Sequence, residues 1–133
     1  YTREIVGWHL SIRHTKELVM EAFLDALVNQ KLHHPVYVHS DQGVEYTNQS
    51  YVELVQSVGT TISLSKKSSP WENGYQESFF NNFKTDLGLE FDRFADIGQS
   101  AEAVHSTIYA YNTTRIHTTL KMSPTAFRRL HAP

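Results

Sequence analysis

The 133 residues are 40% hydrophobic, enough for one domain with a real core and too few for two ordinary ones. Twelve basic residues against fourteen acidic ones leave a formal charge of -2 and a pI near 6.5. A strong free-standing nucleic-acid binder is thereby disfavoured, and any DNA contact has to be local. The absence of cysteine excludes disulfides, thiolate catalysis and cysteine-ligated zinc. No apolar run approaches the roughly 18 residues of a membrane span, and the first residues lack the order of a signal peptide. A single soluble unit with no membrane partner is expected.

Past Arg3 and Glu4 the residues alternate, with Val6, Trp8, Leu10 and Ile12 on one side and Gly7, His9 and Ser11 on the other, which predicts a strand. From Thr15, a candidate cap, the period becomes helical, and Leu18, Val19, Ala22, Phe23, Ala26 and Leu27 make a stripe that should end near Gln30. Pro35 breaks the chain ahead of a short strand at 36–39, with Asp41 just past its end. Asn48 or Thr47 can cap a second helix bearing Tyr51, Val52, Val55 and Val58, closed by Gly59, and 61–64 makes another β-branched strand. Strand, helix, strand in that order predicts a parallel crossover.

Residues 65–73, SKKSSPWEN, read as a polar, mobile loop. The next stretch, GYQESFFNNFK at 74–84, is predicted as a helix with Phe79, Phe80 and Phe83 as its apolar anchor and Glu77 and Lys84, seven apart, on a neighbouring face. A long helix should follow Asp96 with Ile97, Ala101, Val104, Ile108 and Tyr111 inward. Ser123 followed by Pro124 opens a final short helix with Phe127 and Leu130.

Open α/β sheets place ligand-binding groups where strands end, and Asp41 stands at such a place. Paired with a second carboxylate from a helix, Glu77, it would offer the hard oxygen donors that Mg²⁺ or Mn²⁺ prefers; 35 residues lie between the two. The residues alone also allow both acids to be caps or solvated charges. His39 and Ser40 flank Asp41 and could orient it. Asn112, Arg115 and His117 either bind DNA phosphate or brace the loop before the last helix, and local bracing is the commoner use of polar side chains in turns. Lys66 with Lys67 and Arg128 with Arg129 are short basic clusters of the kind usually left as solvated surface. His33 and His34, lacking cysteine partners, read as surface polar groups, and Trp71 as a lid residue or a base-stacking one.

HSDQGVEY, SLSKKSSPWENGYQESFFNNFK and YNTTRIHTTLKMSPTAF, with REIVGW near the start, resemble the successive motifs of the DDE integrase-core transposases of bacterial insertion sequences, relatives of the retroviral integrases. The resemblance covers nearly the whole chain. It implies an α/β, RNase H-like fold: a central mixed sheet flanked by helices, its first strand largely missing, so that residues 1–133 are one catalytic core domain truncated at its start. It implies that Asp41 and Glu77 are the second and third members of a metal-binding Asp, Asp, Glu triad using Mg²⁺ or Mn²⁺, with the first Asp upstream of Tyr1. Lys84 becomes the basic residue that contacts the transposon end; Lys66, Lys67, Asn112, Arg115 and His117 stand beside it as candidate DNA contacts by their own chemistry. The partners implied are DNA, as transposon ends and target, and further copies of the chain, in the bacterial cytoplasm and on the nucleoid. Glu72 and Gly74 depart from the family's usual Asp and Ala, and Gly74 loosens the helix start by about 1 kcal/mol. Metal-dependent strand cleavage and transfer is the activity expected of the full protein, and inactivity of the 133 residues alone. The rival expectation is a noncatalytic remnant or dimerisation module of the same fold.

Overall fold

The computed structural model describes residues 1–30, 36–65, 74–88 and 94–131. The elements, in chain order, are α1 (Lys16–Asn29), β1 (Tyr37–Ser40), α2 (Val44–Thr47), α3 (Gln49–Ser57), β2 (Thr61–Leu64), α4 (Gly74–Leu87), α5 (Ile97–Thr113) and α6 (Pro124–His131). They divide into two compact units, Val6–Ser78 and Tyr1–Ile5 with Phe79–Pro133. The expectations for His33, His34, Lys66, Lys67, Trp71 and Glu72 fall outside the described residues.

In the first unit β1 and β2 pair in parallel, Tyr37 with Thr61 through Ser40 with Leu64, and the chain between them crosses over through α2 and α3, as predicted. The one-turn helix α2 is additional, because four residues are too few to register a period. Asn48 ends it and caps α3, accepting the N–H of Ser50 at 3.0 Å. Tyr51 and Val55, one turn apart, are buried, and the Tyr51 ring meets Phe23 and Tyr46 edge-on. Val58 departs from the predicted stripe: it follows the last helical turn and is exposed, ahead of Gly59 at φ 75°. Leu18, Val19, Ala22, Phe23, Ala26 and Leu27 are each half-buried on α1, which packs on α2 and α3. Thr15 stands at the α1 cap position and its carbonyl accepts the Leu18 N–H at 3.1 Å, but its hydroxyl caps no helix N–H and instead holds the Glu17 carboxyl below its usual range. Ser65, placed in the predicted loop, is buried and prolongs the parallel pairing through its N–H to the Ser40 carbonyl at 2.9 Å.

The predicted opening strand is not a strand. The alternation in sequence does not carry into burial, since Trp8 and Leu10 are half-buried while Val6 and Ile12 are exposed; a strand is defined by a ladder, and here α1 side chains take the backbone groups. Asp25 accepts the N–H of Trp8 at 3.0 Å and the Asn29 amide donates to the Val6 carbonyl at 3.4 Å. Between them Gly7 lies directly on the α1 backbone: a Cβ there would fall 2.4 Å from the Ala26 nitrogen and 2.5 Å from the Ala22 carbonyl. Only glycine permits that approach.

The second unit is built around α5, α6 and α4. Asp96 caps α5 by accepting the Gln99 N–H at 2.9 Å; Ile108 is buried, with Ala101, Val104 and Tyr111 half-buried beside it. Ile97 is exposed although its spacing keeps it on the same face, because it stands at the very start of the helix, ahead of the buried part of the stripe. Along α4 the inward row is Phe79, Phe83 and Leu87, four apart, with Phe79 edge-on to Tyr111. Phe80, one residue and about 100° round from Phe79, is exposed, which corrects the predicted anchor. α6 opens at the fully buried Pro124, and its Phe127 ring meets Tyr1, while Leu130 is exposed contrary to expectation. The first residues of the chain are held here by side chains. The Asn112 amide both accepts the N–H of Ile5 and donates to its carbonyl, each at 2.9 Å. Glu4 accepts from Arg128 at 2.7 Å and from the Thr125 hydroxyl at 3.0 Å.

Candidate active site

β1 ends at Ser40, and Asp41 is the first residue beyond it, exposed. Its Oδ1 accepts the N–H of Gly43 at 2.9 Å, an Asx turn that points the carboxylate along the loop. Gln42, between them, donates from Nε2 to the Ser65 carbonyl at 3.1 Å. The buried Ser40 hydroxyl donates to the main-chain carbonyl of Asp41, and the His39 ring meets its cross-strand partner Ser63 at 3.0 Å. The hydrogen bond described for the Asp41 carboxylate is therefore from Gly43, and those of His39 and Ser40 go elsewhere.

Glu45 was not singled out in the sequence. It is buried, its Oε1 lies 2.9 Å from His14 Nδ1, and its Oε2 lies 2.8 Å from where a Gly43 Cβ would stand, a point 3.0 Å from Asp41 Oδ1. Two carboxylates thus crowd the space that glycine leaves open. Burial, and after it the Asp41 and Glu45 charges, pushes the Tyr46 hydroxyl above its usual pKa. Nothing in the local pattern distinguishes Glu45 from a solvated acid four residues after Asp41.

Glu77 lies in the first turn of α4 and Lys84 in its last turn, both exposed, and neither side chain has a partner among the described residues. Each sign suits the helix end it occupies. Asn112, Arg115 and His117 have internal contacts: Asn112 with Ile5, Arg115 in an ion pair with Asp86, and His117, whose Nδ1 accepts the Thr119 N–H. Burial lowers the His117 pKa, and the Arg3 and Arg115 charges lower it further. Lys66 and Lys67 lie outside the described residues.

Asp41 and Glu77 suit a hard divalent cation in kind, being carboxylates open to solvent. In number they do not complete a site, since no three His, Asp or Glu side chains group as metal ligands among the described residues. No helix among those residues is long and apolar enough to cross a membrane.

The integrase core domain family matches residues 1–70 in one form and residues 58–124 in another. The transposase for insertion sequence element IS904 of Lactococcus lactis is 32% identical over 134 residues, covering 99% of this chain and 53% of that protein. The chain spans about half the length of that relative. Among solved structures, the catalytic core domain of BIV integrase superposes with a TM-score of 0.68 at 17% identity, covering 89% of this chain and 73% of that one. The HTLV-2 integrase catalytic core domain in complex with magnesium gives 0.65 at 17% identity, over 86% of this chain and 70% of that one. At such identity the likeness is one of fold, the RNase H-like α/β fold, of which the described residues form two parallel strands with their helices.

Proposed function

This chain belongs to the integrase core domain family, and from that premise we propose that residues 1–133 are the catalytic core domain of a bacterial insertion-sequence transposase that cuts and joins DNA with a divalent cation. The observation that carries the reading is a contrast among carboxylates by place as well as exposure, since the exposed Glu21 and Glu102 lie mid-helix in α1 and α5. Glu4, Asp86 and Glu45 are taken up by Arg128, Arg115 and His14, whereas Glu77 is exposed without a partner among the described residues and Asp41 is exposed beyond a strand end. Charges left in solvent contribute little to the fold, so their positions are free to serve a ligand.

Asp41 and Glu77 would hold Mg²⁺ or Mn²⁺, and the magnesium complex of the HTLV-2 neighbour supports that choice. Such an ion supplies Lewis-acid polarisation of a phosphate oxygen and a water made nucleophilic near neutral pH. A third carboxylate is needed, and we assign it to the full-length protein upstream of Tyr1. Glu4 is no substitute, because Arg128 and Thr125 already occupy it. Lys84, with Lys66 and Lys67, draws the phosphate backbone of the transposon end, while Asn112, Arg115 and His117 brace the fold. Homo-oligomers acting on transposon ends and target, in the cytoplasm and on the nucleoid, complete the proposal.

The test is Mn²⁺-dependent nicking of labelled DNA by the 133-residue chain and by the full-length protein, each with and without Glu77→Gln. Cutting is expected from the full-length protein alone, abolished by Glu77→Gln. A full-length protein that neither cuts DNA nor binds Mn²⁺ would overturn the enzyme reading in favour of a noncatalytic module.

A further inference from the structure

We propose that Gln42 is a positioning residue for the reaction, tying the Asp41 loop to the end of β2; the inference rests on the transposase reading above. Metal-binding carboxylates have to be held to within about half an ångström, and Asp41 lies beyond its strand, where the ladder no longer holds it. Main-chain carbonyls are held at both ends of the loop, Asp41 by the Ser40 hydroxyl and Gly43 by the N–H groups of Tyr46 and Thr47; two further bonds act through the loop's own side chains. One is internal, the Gly43 N–H on Asp41 Oδ1, and sets the carboxylate relative to its own turn only. The other is the Gln42 Nε2 bond to the Ser65 carbonyl, across 23 residues of sequence.

Ser65 is a firm attachment point. It is 4% exposed, its N–H donates to the Ser40 carbonyl at 2.9 Å, and its hydroxyl reaches the same carbonyl at 3.3 Å. It is also where the chain leaves β2 toward the helix that carries Glu77. Gln42 therefore joins the loop bearing one acid to the origin of the segment bearing the other. The Ser40 and Ser65 bonds do not involve Gln42, so its removal leaves the parallel pairing intact and frees only the loop.

The experiment uses the full-length protein with Gln42→Ala, Gln42→Glu and Gln42→Arg. It reads Mn²⁺-dependent nicking across a Mn²⁺ titration, amide hydrogen exchange of residues 41–43 without metal, and melting temperature. Alanine removes the donor, glutamate is isosteric without a donor, and arginine keeps one. The expected result is that Ala and Glu each lose about 10- to 100-fold in activity, need more Mn²⁺ for half-maximal rate and exchange faster at 41–43, with melting unchanged. Arg should stay near wild type in all three. Nicking and exchange by Gln42→Ala equal to wild type would overturn this inference alone, and opposite effects of Glu and Arg about an unaffected Ala would replace positioning by charge. A wild-type full-length protein that does not nick would overturn the transposase reading and the role of Gln42 with it.

Discussion

The two units are held together by different means. Val6–Ser78 has a backbone frame, two parallel strands in register, a crossover of short helices and Gly7 lying on the α1 main chain, to which side chains such as Asp25 and Asn29 add ties. Tyr1–Ile5 with Phe79–Pro133 rests on side chains reaching across the sequence, Asn112 to Ile5 over 107 residues and Arg128 to Glu4 over 124. Backbone pairing tolerates most side-chain changes that preserve the pattern. Side-chain clasps depend on one chemical group each, and in the second unit they are what holds the first five residues of the chain.

Gly7→Ala should give the largest loss of stability, about 3 kcal/mol, because backbone atoms rather than flexible side chains meet the new Cβ. Chemical denaturation would read it, and a loss under half of that would show that the segment slides off α1 at little cost. In the other unit, Arg128→Ala leaves the Glu4 carboxylate, 11% exposed, with the Thr125 hydroxyl alone. About 2 kcal/mol is expected, reduced from a fully buried pair because Arg128 is itself 43% exposed. Arg129→Ala, at a neighbouring exposed arginine, is the control and should be near neutral. Asn112→Ala removes both bonds to the Ile5 peptide, with about 1.5 kcal/mol lost and faster amide exchange at Ile5. Asn112→Asp keeps the acceptor and should retain the protection of the Ile5 N–H.

The smallest expected effect is a pH dependence. The folded pKa of His117 lies below its unfolded value, through burial first and then the Arg3 and Arg115 charges. The unfolded chain therefore takes up a proton first as pH falls below about 6.5. Stability should fall from that pH downward until the lowered folded pKa is reached, and be flat in this respect above it. His117→Gln should remove that slope from melting curves taken between pH 7 and 5; an unchanged slope would assign it to another group.

Much of the element plan was legible because caps and periods are local. Asn48 and Asp96 cap the helices they were expected to begin, Pro124 stands at a first helical position, and 61–64 is a strand. Asp41 was legible as a strand-end acid by the same logic. The burial of Glu45, the pairing of Glu4 with Arg128, and the turning outward of Phe80 and Leu130 were not, because each depends on what a distant residue brings to the place.

Residues 1–12 draw the line most plainly. Their alternation marked four apolar side chains, of which the fold half-buries Trp8 and Leu10 and leaves Val6 and Ile12 exposed. Whether they form a strand was decided only in the tertiary structure, since a ladder needs a second backbone and α1 supplies side chains in its place. The same holds for the site: sequence alone placed carboxylates at a strand end and a helix start, and tertiary structure decided which acids of the chain are consumed by partners and which remain in solvent.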